Sequence, residues 1–389
     1  MNSKVFISLF IMSFLTIGCV SEYYADIPPN DTQILFVDGY IVENSDVIFY
    51  LSKSFPLHLT TIPNESLNIL ANLTIIGRNG YKSEPAINLG RGAYKFSVGK
   101  LEDNVEYGIQ IEYNGDIYQS ALSKPLSTPE IDSVSFTQNR DTGTVFFRVS
   151  THDNSGDTKF YLWDYIEDWE ITAYYYTQIF FDLASNRFYL TDDAPYYYCW
   201  KNLKSNKFLI GSTESLNVNS IVNKQLYSCL PTDTRFSVLY SVIVSQKAIS
   251  KGAFEYYQNK IVLNDEMGGL FTPQPSEMSG NITCITDPSK KVMGYVEAVK
   301  NVTQKRIFIS PKDIVRPAIY PNCASITEDS LRNILREFDG TYRDAYDLGF
   351  RPIAWTPSNT PSEWSTFHCS ECTSYGSKNK PDFWPNDHK

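Results

Sequence analysis

Four histidines, His58, His152, His368 and His388, are all that this sequence offers as imidazole bases. A serine or cysteine hydrolase needs such a base beside its nucleophile. The chain has no His-Glu-x-x-His, no Gly-x-Ser-x-Gly and no Gly-rich phosphate loop closed by Lys-Ser/Thr, so the usual signatures of zinc peptidases, α/β-hydrolases and nucleotide hydrolases are missing. Gly90-x-Gly92 matches half of a dinucleotide fingerprint, but it lies among strand formers with no helix after it. Asp164, Glu167, Asp168 and Glu170 crowd one short segment, where paired carboxylates could serve glycoside hydrolysis or hold calcium. Their spacing does not match a calcium loop, and a solvated strand or loop face is the expected reading. His368-Cys369-Ser370-Glu371-Cys372 supplies three zinc-type ligands, with His388 as a fourth. One Cys-x-x-Cys without a second pair is a weak metal signal, and structural disulfides are the ordinary use of such cysteines in a secreted chain. No catalytic residue, metal or cofactor is therefore assigned.

Two tyrosine clusters, Tyr174–Tyr176 and Tyr196–Tyr198, could stack on sugars or pack on a partner. Side chains alternate across a strand, so three in a row cannot share one face, and burial between a sheet and its covering layer is expected. The 27 Tyr, 23 Phe and 6 Trp fit pleated, half-buried surfaces better than helices and predict a mainly β protein. At 389 residues the chain should hold two or three domains.

Strand patterning begins at the apolar run 34–42. Tyr107, Ile109, Ile111 and Tyr113 alternate with Gly108, Gln110 and Glu112, and Asn114-Gly115 follows as a type I′ hairpin pair before the return strand 116–120. Arg78-Asn79-Gly80 marks a second hairpin after 73–76. These elements predict an immunoglobulin-like or prealbumin-like sandwich over 31–127, closed by a Pro-interrupted linker near 123–132. A larger β-rich domain, 131–389, should follow, with strands at 144–150, 168–182, 207–210, 236–246 and 291–298. Two short helices interrupt it. Ser250 caps one, with Ala253, Tyr256, Tyr257 and Ile261 at helical spacing. Thr327 opens the other, whose stripe is Leu331, Ile334, Leu335 and Phe338, with Gly340 at its close.

Localisation is written at the N-terminus. Lys4 precedes the apolar run Val5–Ile17, too short to span a bilayer, and Gly18-Cys19 ends it. The reading is a lipoprotein signal peptide over 1–18, acylation at Cys19 and a tether over 19–30. Thr16 stands where Leu is more usual. Three acyl chains on Cys19 exceed what stable anchoring needs, which places the chain on a bilayer without spanning it. Formal charge is −10, and loss of Lys4 with the leader makes it more negative, which argues against a nucleic-acid partner.

Six cysteines then remain, Cys199, Cys229, Cys284, Cys323, Cys369 and Cys372, which can pair in fifteen ways. Loop entropy favours the nearest partners, Cys199 with Cys229 and Cys284 with Cys323, each contributing about 3 to 4 kcal/mol. Cys369 with Cys372 would then form a tight terminal loop.

Several segments together carry a family resemblance: Leu35-Phe36-Val37-Asp38-Gly39-Tyr40; Trp163 to Glu170, with Trp169; Gly268-Gly269-Leu270-Phe271 through Gly280-Asn281-Ile282; and Val292-Met293-Gly294-Tyr295. Lys305-Arg306-Ile307-Phe308-Ile309 and the terminal Cys369-x-x-Cys372 with Lys380-Pro381-Asp382-Phe383-Trp384-Pro385 complete the set. In this order, behind a lipobox, they resemble the Bacteroidota lipoprotein family known as domain of unknown function 4249. Tyr375 to Asn379 departs from it, replacing the more usual double-Gly-Thr-Asn. The resemblance implies an outer-membrane lipoprotein, often encoded beside a TonB-dependent transporter, with no assigned reaction and no catalytic residues to carry over. The reading is thus a non-catalytic binding or accessory module for nutrient uptake, held to the bilayer through Cys19, its ligand unnamed. A surface hydrolase and a structural or adhesive surface protein are the alternatives. Val20-Ser21-Glu22 has a single acid, so outward and periplasmic orientations both stay open.

Overall fold

The computed structural model describes residues 34–55, 61–230, 234–266, 280–315, 322–357 and 360–385. The leader, Cys19, the tether, His58, Gly268, Gly269 and His388 lie outside them. The protein is mainly β, as its aromatic and β-branched content requires.

The first body is a two-sheet sandwich. One sheet runs, in spatial order, 292–293, Leu35–Asp38, Ser45–Lys53, Ala93–Val98 and Ile87–Gly90. Its partner runs Ile282–Cys284, Asp116–Ser120, Tyr107–Tyr113 and Asn72–Gly77. Alternate residues point inward, so Leu35, Val37, Phe49, Leu51, Phe96, Leu73, Ile75, Ile109, Ile111 and Tyr118 form one core. Asn114 (φ 51°) and Gly115 (φ 83°) make the expected tight turn between 107–113 and 116–120. Gly90, Arg91 and Gly92, all with positive φ, turn the hairpin between 87–90 and 93–98 rather than a nucleotide loop.

This sandwich is not confined to residues 31–127. The chain returns to it after residue 280: Ile282 pairs antiparallel with Ser120, while Leu35 pairs parallel with Val292 and Ile41 with Ala298. Residues 121–130 hold only isolated bridges, at Ser123 and Leu126, and residues 282–299, expected in the second domain, supply edge strands to the first. Only two short pieces of the expected strand 291–298 form, 292–293 and 298–299.

The second body is also a sandwich. Its first sheet runs 198–204, 160–172, 240–249 and 303–309, with 209–212 on the free half of 160–172. Its second runs 220–229, 145–152 and 131–138. Val145, Phe147 and Val149 face Tyr161, Trp163, Tyr165, Val242 and Val244 across the core. The strand Phe160–Thr172 replaces the expected strand 168–182, which breaks at Ala173 and resumes as a separate hairpin, 179–182 with 187–190.

Helix Lys251–Glu266 covers Phe160 and Leu162 with Ala253, Tyr256 and Tyr257, and the Ser250 hydroxyl caps it by accepting from the Ala253 N–H at 3.1 Å. A third, smaller layer carries helices Glu328–Arg336 and Tyr342–Asp347 on a sheet of 325–327, 361–366 and 350–355. Leu331 and Leu335 of the expected stripe are buried against Trp364, but Ile334 and Phe338 face solvent because this sheet is only three strands wide. Among the described residues no helix is long and apolar enough to cross a membrane.

The disulfides correct the expected pairing. Cys199 bonds Cys372 and Cys323 bonds Cys369, while Cys229 and Cys284 are buried and belong to neither disulfide. Proximity in sequence misleads because the terminal segment crosses back over the second body. Cys199 lies beneath it on strand 198–204, whereas Cys284 belongs to the first sandwich and Cys323 to the third layer. Cys369 and Cys372 thus fasten two different elements, which also removes them as metal ligands.

Candidate functional site

Strand Phe160–Thr172 is the axis on which the charged residues are arranged. Strand 240–249 pairs with it from Phe160↔Ile249 to Trp169↔Tyr240, and both faces are covered, so period-two alternation sends its acids into two different environments. The expected solvated carboxylate face does not exist: Glu167, Asp168 and Glu170 are only 1%, 4% and 1% exposed.

Glu167 points between the two sheets. It accepts from the Tyr240 hydroxyl at 2.7 Å and lies 3.4 Å from Arg235, whose Nη1 is 3.2 Å from the Cys229 thiol. Tyr240 and Tyr227 share a hydroxyl hydrogen bond, and burial pushes both phenols well up, so they stay protonated. Arg235 also stacks on Trp169, its guanidinium carbon 5.3 Å from the ring centroid.

Asp164, Asp168 and Glu170 share the opposite face. Asp168 pairs with Arg306 at 3.1 Å and accepts from Asn202 at 2.6 Å, and Phe383 covers the Arg306 guanidinium at 3.4 Å. Glu170 accepts from the indole N–H of Trp384 at 3.1 Å. The terminal segment that carries Lys380, Pro381, Phe383 and Trp384 therefore forms a strap, sealed over this end of the strand and held by Cys199–Cys372. Of the residues quoted for the resemblance, Arg306, Phe383 and Trp384 converge here, while Trp169 lies on the opposite face with Arg235.

Asp164, on the same face but beyond the strap, is open. It pairs with Lys247 at 2.7 Å in the wall of a cleft of about 460 Å³ between the first and second bodies. The volume falls in the range of small-molecule sites. Asp38, Gly39, Tyr40, Val42, Val47, Ile48 and Tyr50 form the first body's wall; Lys204, Ser205, Asn206, Lys207, Phe208 and Lys247 lie opposite. A Cβ on Gly39 would sit 2.4 Å from the Phe49 ring, so only glycine lets strand 35–38 turn into this wall. The floor is made by Tyr40 and Tyr257, whose hydroxyls bond each other at 2.6 Å. Burial holds both well above the usual range for tyrosine; the Tyr257 phenol adds to the rise at Tyr40, whereas the bond to Tyr40 partly offsets it at Tyr257. The Lys247 ammonium lies 5.0 Å from the Tyr40 ring centroid, and Lys260 sits 4.4 Å from that of Phe208, with burial pulling its amine down. Beneath the floor Glu297 accepts from the Ser250 N–H at 3.1 Å, and burial raises its carboxyl.

Of the remaining motif residues, Asp38 and Gly39 line the cleft. Asn281 clasps the returning chain, its amide donating to Val296 O at 2.7 Å and accepting from Val296 N at 2.9 Å, with Gly280 abutting Gly294. The tyrosine clusters depart from the expected burial: Tyr174 and Tyr176 are exposed and the others half-buried, because the strand ends at Thr172 and the chain leaves the sheet. Sequence reasoning did not single out Lys204, Lys207 or Lys247, and it met Tyr40 only as the end of a motif segment. The available sign was Lys247, the one charged residue in the mostly apolar strand 240–249. Among the described residues, no three His, Cys, Asp or Glu side chains gather as a metal site.

No curated protein matches the chain. The family model described as "Domain of unknown function (DUF4249)" matches residues 20–306 of the 389, which takes in the cleft, strand 160–172 and Arg306 but stops before the strap. The chain belongs to the family of domain of unknown function 4249.

Proposed function

We propose that this protein is an outer-membrane lipoprotein, acylated at Cys19, that works as a non-catalytic binding or accessory module beside a TonB-dependent transporter in nutrient uptake. The observation that carries the reading is the division of charge along strand Phe160–Thr172. Glu167, Asp168 and Glu170 are enclosed by Tyr240, Arg306 and Trp384, out of a substrate's reach, whereas the charges that meet solvent line an open cleft between two bodies. A general acid must come within hydrogen-bond distance of the atom it protonates, so the enclosed acids support a structural role and the cleft supports capture. A lipid tether and a large folded body suit a protein that receives a solute and hands it on.

The test is affinity purification of the full chain from gently solubilised outer membranes, with mass spectrometry of its N-terminal peptide. A triacylated Cys19 and a stoichiometric transporter are expected. An unacylated terminus on a chain that always isolates alone defeats the proposal.

A further inference from the structure

The cleft's two walls differ in kind, and that difference specifies a class of ligand. On the second body's wall, Lys247 is neutralised by Asp164, but among the described residues neither Lys204 nor Lys207 makes an ion pair. Two free ammonium groups at one recess are notable in a chain whose formal charge is −10. With Asp38 and Asp164 set against Lys204, Lys207 and Lys247, the lining keeps a net positive charge where the molecule as a whole repels anions.

Apart from Asp38, the first body's wall is uncharged and largely apolar, and it reaches beyond the recess. Ile48 and Tyr50 are 41% and 49% exposed on the outward face of strand 45–53. Register places Ile48 beside Lys95, and Lys95 beside Ile87, which is 64% exposed. The three positions lie across adjacent strands, so an apolar stripe extends about 10 Å from the cleft. Lys95 interrupts it only with its aliphatic stem, because its ammonium is drawn to Asp46 at 2.7 Å.

The geometry points to an anionic amphiphile as the cleft's ligand: a carboxylate or similar head between Lys204 and Lys207, and an extended alkyl or fused-ring body along Tyr50, Ile48 and Ile87. The inference rests on the binding-module reading above and names its ligand class. An acidic sugar satisfies the lysines but leaves the aliphatic stripe uncovered; a neutral lipid does the reverse.

The test uses the full mature chain with Cys19→Ala, so that its own acyl groups do not compete. Three probes share one tail, each kept below its micelle threshold: dodecanoate, dodecyl maltoside and dodecyltrimethylammonium. Isothermal titration should show dodecanoate binding one to one and tightest of the three. Lys204→Glu with Lys207→Glu should weaken dodecanoate by at least about tenfold and spare dodecyl maltoside. Both lysines are exposed, so folding is not at stake. Ile48→Ser with Tyr50→Ser should weaken both probes.

Equal affinity for the three probes, or dodecanoate binding unmoved by the lysine changes, overturns the inference. Binding of digalacturonate that needs the two lysines, without binding of dodecanoate, also overturns it but leaves the binding-module reading standing. Attachment to anionic phospholipid vesicles without uptake of monomeric dodecanoate overturns it too, by assigning the patch to a bilayer surface. Isolation of the chain without a transporter strikes the parent proposal alone when dodecanoate still binds.

Discussion

Two ends of one strand carry the same residue types to opposite purposes. At the strap end of Phe160–Thr172, Asp168 and Glu170 are sealed beneath Phe383 and Trp384; at the cleft end, Asp164 and its partner Lys247 stay within reach of solvent. Neither the acids nor the strand geometry differs. What differs is the covering layer, a disulfide-held segment in one case and a gap between bodies in the other. Burial turns a charge into a structural commitment that must keep its partner, whereas partial exposure keeps it available to a visiting molecule.

Removing the fastening should break this contrast most severely. Cys199→Ser with Cys372→Ser opens a cross-link between residues 173 apart and should cost about 4 kcal/mol in urea denaturation. A loss under about 1 kcal/mol would mean that the strap holds without its bond. Arg306→Met strips Asp168 of its ion-pair partner and should cost about 3 kcal/mol by the same measurement, with the Arg306 side chain one-fifth exposed. An unchanged midpoint would show that Asp168 needs no cation.

Glu297 offers a pH-dependent version. Its folded carboxyl is raised above the ordinary 4.5 by burial, so the folded chain holds that proton more tightly than the unfolded one. Its contribution to stability is complete below pH 4.5 and is lost as the pH rises through the raised value. Glu297→Gln should therefore flatten the decline in melting temperature above that pH; an identical profile for the variant would refute the assignment. The smallest effect belongs to the open end. Lys247→Met should shift stability by no more than about 1 kcal/mol, since both members of its pair are partly solvated. A larger loss would place Lys247 with the sealed charges.

What could be read from the sequence was local. Asn114-Gly115, the Ser250 cap and the Thr327 cap each declare themselves through neighbours within a few residues, and each formed where expected. The alternation that defined strand 107–113 works because one of its faces meets a core. It failed for strand 160–172, where helix, strap and second sheet cover both faces and the acids look as though they belong to water. Disulfide partners and the return of 282–299 depend on contacts between distant stretches, for which adjacency in sequence is no guide. Lys204 and Lys207 gain meaning only opposite Ile48 and Tyr50, which a different body supplies.

The late strands at 282–299 also impose an order on assembly. A chain emerging from its amino end carries strand 35–38 for more than half its length, and strand 116–120 for more than a third, before the second neighbour of each exists. Until then both sheets present bare backbone, the kind of edge that pairs readily with strangers. Such non-local closure raises contact order and slows folding, so a polypeptide of this design needs shelter until its last third arrives.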